Sequence, residues 1–129
     1  MSNELRMALI FRGDIKISKG KACAQAGHAT LAAFRGCTDP ELIDTYMATG
    51  QAKLVFLAPD LETLQKVATR ATKRGVSAAL IEDEGRTEFT GPTYTVLGLG
   101  PMNRTDYNNL TKGIPLMKED EKERIESGC

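Results

Sequence analysis

Four short apolar runs punctuate the chain: MALIF (7–11), AKLVFLA (52–58), SAALIE (77–82) and YTVLGLG (94–100). Each is too short to be a helix that buries itself, and each is bounded by charged or turn-forming residues, so each reads as a strand. The stretches between them read as helices. Residues 21–35 are rich in alanine and glycine, so a helix there can lie very close to a sheet. Asp39-Pro40 supplies an N-cap followed by proline at the first helical position, for a helix stopping near Gly50. Asp60 caps a further helix running to about Arg74, with Gly75 at its C-terminal end. A short helix around 104–112 ends at Gly113, and GLGP (98–101) reads as a turn closing the fourth strand. Strands alternating with helices predict an α/β fold: one layered domain, a four-stranded sheet with helices on both faces.

Length and composition narrow the function. A chain of 129 residues fits one domain, expected over 1–117, and can bury a core. The stretch 118–129, KEDEKERIESGC, is too charged to pack firmly and is expected to be a mobile tail or a solvated helix. No apolar run approaches the ~20 residues that span a membrane, and the first residues lack the layout of a signal peptide. Three cysteines without a C-x-x-C pair argue against disulfides or a zinc site and suit a reducing cytoplasm. With one histidine and scattered cysteines, neither a metal site nor a Cys–His dyad is expected; no organic cofactor is expected either. The formal net charge is zero, so bulk charge does not announce a nucleic-acid partner and local patches must decide.

Three patches carry chemical content. Lys19 and Lys21 stand at the start of the first helix, where unpaired N–H groups and the macrodipole ordinarily favour acids. Lysines there are useful if an anion binds. Lys21, Gln25 and His28 fall at i, i+4 and i+7, one polar stripe that is either a solvent-facing edge or the wall of a site for a phosphate or ribose. Lys66, Arg70, Lys73 and Arg74 make the third helix basic, as a solvated face or as a track for a phosphate backbone. Asp83 lies just past the end of the third strand, where open α/β sheets place their sites, with Thr87 and Thr95 following; Asp and Thr in such loops also serve simply as caps and turns. There is no G-x-S-x-G elbow, H-E-x-x-H, Walker loop or G-x-G-x-x-G turn.

Several of these segments together resemble a known family. R-G-D-I-K-I-S-K-G-K-A-C-A-Q-A-G-H-A (12–29), G-Q-A-K-L-V (50–55), A-P-D (58–60), D-E-G-R-T (83–87), T-V-L-G-L-G-P (95–101) and L-T-K-G-I-P-L-M (110–117) are similar, in order, to the signatures of the archaeal and eukaryotic (type II) peptidyl-tRNA hydrolases. The resemblance implies a mixed four-stranded sheet, often a dimer, and cleavage of the ester between a stalled peptide and the 3′-terminal ribose of tRNA. It implies a site of Lys19, Asp83, Thr87 and Thr95, with Lys21, Gln25, His28 and Arg86 around it. T-G-P (90–92) replaces the family's Pro-Pro-Gly type turn, and 118–129 extends past the family's usual end. An aminoacyl ester is already activated, so a positioned water suffices and no nucleophilic serine or cysteine is required. The expected partner is peptidyl-tRNA, with no membrane and with a homodimer as the assembly. A tRNA- or protein-binding module of the same fold, without turnover, is the alternative. An esterase acting on small esters without RNA is a third reading.

Overall fold

The computed structural model describes residues 4–84 and 91–118. Eight elements follow one another: β1 (Arg6–Arg12), α1 (Lys19–Gly36), α2 (Pro40–Ala48), β2 (Ala52–Ala58), α3 (Leu61–Lys73), β3 (Ala78–Asp83), β4 (Thr93–Met102) and α4 (Arg104–Thr111). The strands form one mixed sheet in the order β2-β1-β4-β3, with β1 parallel to β2 and β4 antiparallel to both its neighbours.

Local sequence explains the boundaries. Ser18 caps α1, its hydroxyl accepting from the Lys21 N–H. Asp39 accepts from the N–H groups of Glu41 and Leu42, with Pro40 at the first helical position. Asp60 caps α3 through the Thr63 N–H and hydroxyl at 2.9 and 2.7 Å, bonds that lower its carboxyl pKa. Gly75 and Gly113 take positive φ after α3 and α4, as helix ends favour. One boundary departs from expectation. GLGP does not turn: β4 runs through it to Met102, and the pairing with β1 shifts register between Arg6 and Ala8.

Alternation along the strands divides the core in two. Ala8, Ile10, Phe56, Leu97 and Leu99 face α3 and α4, packing with Leu64, Val67, Ala71, Tyr107 and Leu110. Met7, Leu9, Phe11 and Val96 face the other way, against Ala29 and Ala33 of α1 and Tyr46 of α2. The sheet is therefore covered by helices on both faces, as the alternation of elements predicts. The α1 contact is unusually close. A Cβ at Gly98 would stand 2.4 Å from the Ala29 carbonyl oxygen, so only glycine lets α1 lie directly on β4.

Candidate active site

Because Asp83 shares strand parity with Ala79 and Ile81, which pack towards α1 and α2, its carboxylate points to the α1 side of the sheet. Lys21 meets it there. Its Nζ stands 2.5 Å from Asp83 Oδ1, and the two side chains are 16% and 8% exposed. Asp83 is thus the last residue of β3, paired with Thr93, and not a residue beyond the strand.

A second polar link lies beside the first. The Thr95 hydroxyl, fully buried, donates to Gln25 Oε1 at 2.7 Å. Simple alternation would turn Thr95 towards α3 with Leu97 and Leu99. A bulge prevents this: Ile81 pairs with Val96 but Glu82 pairs with Tyr94, leaving Thr95 as the extra residue on β4. Bulges re-aim side chains in this way, and here the hydroxyl turns to α1.

The two links open onto a cleft of about 580 Å³ between α1 and β3, lined by Lys21, Gln25, His28 and Ala32 on one side and residues 80–84 on the other. The stripe expected at i, i+4 and i+7 therefore lines one wall of this cleft. Its members differ in depth: His28 is exposed, whereas Gln25 is only 4% exposed. Lys19 is exposed at the first residue of α1 and is not among the described residues lining the cleft. Arg86 and Thr87 lie outside the described residues.

The basic residues of α3 are not brought to this cleft, because α3 covers the opposite face of the sheet. Lys66 pairs with Glu62 at 3.2 Å, Arg74 with Asp106 at 2.9 Å, and Arg70 donates to the Asn109 carbonyl at 2.6 Å. Two of the four thus tie α3 to α4.

Other contributors escape a reading by motif. Glu82 and Glu84 line the cleft and were signalled only by the acidic run around Asp83. Arg12 grips Asp14 with two bonds of 2.9 Å and donates to the Tyr94 carbonyl at 3.2 Å, anchoring the loop that leads into α1. The Arg12 hydrogen bond holds the Asp14 carboxyl below its usual range. An R-x-D spacing at a strand end is the signal that could have found this clamp. Among the described residues no cluster of three or more His, Cys, Asp or Glu side chains is placed to hold a metal ion. No helix there is long and apolar enough to cross a membrane.

This arrangement is an ion pair of low exposure and a hydrogen-bonded amide at the mouth of a polar cleft. It can hold an anionic ligand at α1 and orient a small molecule such as water at Asp83. Comparison with known proteins agrees with the sequence motifs. Residues 5–117 match the family described as peptidyl-tRNA hydrolase PTH2. The chain is 42% identical over 102 residues to the mitochondrial peptidyl-tRNA hydrolase 2 of Bos taurus, covering 78% of this chain and 57% of that protein. It is 36% identical over 121 residues to peptidyl-tRNA hydrolase 2 of Saccharomyces cerevisiae, covering 88% and 58%. Against the peptidyl-tRNA hydrolase of Methanopyrus kandleri it is 34% identical over 114 residues, covering 88% and 98%. The chain therefore spans little more than half of the two eukaryotic relatives and nearly all of the archaeal one. A solved protein of unknown function from Agrobacterium tumefaciens str. C58 shares the fold, with a TM-score of 0.55 at 18% identity over 92% of this chain and 100% of that one. Since the match takes in almost every described element and both halves of the cleft, the chain belongs to the peptidyl-tRNA hydrolase PTH2 family.

Proposed function

We propose that this chain hydrolyses the ester between peptide and the 3′-terminal ribose of peptidyl-tRNA, releasing tRNA for reuse in the cytoplasm. The observation that carries the reading is the Lys21–Asp83 pair at the mouth of the cleft, within a chain matched to this family from end to end of its fold. Asp83 orients or deprotonates the attacking water. Lys19, at the positive end of α1, stabilises the oxyanion that forms on the ester carbonyl. Thr87 and Thr95 hold geometry by hydrogen bonds. Lys21, Gln25, His28 and Arg86 receive the acceptor end, and Lys66, Arg70, Lys73 and Arg74 meet the phosphate backbone further away. The active unit is residues 1–117, as a homodimer.

The test is incubation of the purified protein with an N-blocked peptidyl-tRNA. Multiple-turnover release of free tRNA is the expected result. No release at enzyme concentrations equal to substrate would leave a binding module in place of an enzyme. Activity on simple aminoacyl esters that added tRNA does not compete away would mean a small-ester hydrolase. Sedimentation velocity tests the dimer.

A further inference from the structure

Thr95 is fully buried, so it reaches a substrate only through another group. Its hydroxyl has one proton and two acceptors in range: Gln25 Oε1 at 2.7 Å and the Ile81 carbonyl at 3.5 Å. The shorter contact is a strong hydrogen bond and the longer is at the limit of one. The proton therefore goes to Gln25, which decides the orientation of its carboxamide. With Oε1 turned inwards to Thr95, the Nε2 group turns to the cleft that Gln25 lines. Were the amide reversed, its nitrogen would donate to Thr95, and the Thr95 proton would be left with the distant Ile81 oxygen. Among the described residues no buried side-chain nitrogen or oxygen lacks a partner, as expected if the Gln25 nitrogen is open to the cleft. Gln25 lies one helical turn from Lys21, so its donors stand on the same wall as the Lys21–Asp83 pair.

We infer that Gln25 is an amide donor to the substrate's ester carbonyl, and that Thr95 is a positioning residue that acts solely by selecting which end of that amide faces the cleft. This rests on the hydrolase reading above and changes the part played by two of its residues. A neutral N–H donor aimed at the carbonyl oxygen gains strength as negative charge develops there, so its contribution appears in kcat and not in tRNA binding. The bulge at Thr95 then has a purpose: without the extra residue the hydroxyl would point to α3 and the amide would have no selector.

The experiment is a double-mutant cycle read by single-turnover rate and tRNA affinity. Gln25→Glu keeps an oxygen for Thr95 but removes the donor, and it should lower the rate about 100-fold, the usual effect of losing one oxyanion donor. Gln25→Met, uncharged, should lose a similar factor. Thr95→Val should lose about tenfold or more with tRNA affinity within about twofold, and Thr95→Ser should recover most of that loss. In the Gln25→Glu background, Thr95→Val should change the rate less than threefold, because the amide it selects is gone. Fully multiplicative losses would mean that Thr95 acts independently of Gln25 and would overturn the inference. The Gln25 side-chain amide protons, assigned in NMR spectra by their disappearance in Gln25→Glu, should exchange freely with water. Protection of those protons would place the nitrogen against Thr95 and overturn it whatever the activity. An inactive parent protein with freely exchanging amide protons would refute the hydrolase reading and the donor role with it, while leaving the selected amide orientation in place.

Discussion

Gly98→Ala perturbs the site without touching any residue in it. The new methyl would stand 2.4 Å from the Ala29 carbonyl oxygen, 2.9 Å from its carbon and 3.1 Å from its Cβ. All three atoms belong to α1, two of them to its backbone, so no side-chain rotation relieves the clash. Restoring ordinary contact moves α1 away from β4 by about 1 Å. Overpacking of this kind typically costs ~1–3 kcal/mol, and backbone contact puts this case at about 3. For a domain of this size that lowers the melting temperature by about 10 °C. The same shift would stretch two bonds that bridge α1 and the sheet, Lys21–Asp83 at 2.5 Å and Thr95–Gln25 at 2.7 Å. A displacement of ~1 Å in a positioned site can cost ~100-fold in rate. Gly27→Ala is the control, since a Cβ there meets nothing within 4 Å on the same helix. It should raise the melting temperature slightly, by up to the ~1 kcal/mol that separates glycine from alanine in a helix. Thermal melts and single-turnover rates on both variants make the test. Parental stability and rate in Gly98→Ala would refute the claim that close packing on β4 sets the position of α1.

Lys19→Ala should cut kcat by ~100-fold while tRNA affinity changes little, and near-parental kcat would make Lys19 a positioning group only. Asp83→Asn should match that loss in rate with tRNA affinity intact or improved, because a negative charge near a polyanion is removed; weakened binding would argue that Asp83 organises Lys21 for the tRNA. Removing the charges of Lys66, Arg70, Lys73 and Arg74 together should raise KM and flatten its salt dependence, each phosphate contact contributing ~0.7–0.9 to the log–log slope. It should also lower stability, since Arg70 and Arg74 bind α4; an unchanged salt slope would return α3 to a solvated face. Burial pushes the Tyr46 phenol up to about 12 from 10.0, and a raised acid group stabilises the fold below its unfolded pKa. That contribution is present below pH 10 and lost as pH rises through 10 to 12. Tyr46→Phe, which gives up the 3.0 Å bond to the Ala52 carbonyl, should therefore lose ~1 kcal/mol at neutral pH but show a shallower alkaline decline in melting temperature.

Much of the architecture is written locally. Asp39-Pro40, Asp60 and Gly75 mark helix ends because caps satisfy backbone groups within three or four residues of themselves. The four apolar runs became four strands, and strand parity alone turned Asp83 towards the face that α1 covers. The family motifs added which residues to expect in one place. The order β2-β1-β4-β3 is not written locally, nor is the division of the helices between two faces, because each depends on contacts far apart in sequence. That division sent the basic stripe of α3 away from the cleft and joined two of its arginines to α4, where local charge had left open a solvated face or a phosphate track. The expected strand break at GLGP failed for the same reason, since pairing with β1 carried β4 onward. Only the folded pairing shows that Lys21 meets Asp83, or that Gln25 in a polar stripe is buried and accepts from Thr95. The bulge at Thr95 is the sharpest case. Alternation assigns that hydroxyl to the wrong face, and a single unpaired residue, fixed by register across two strands, reverses it.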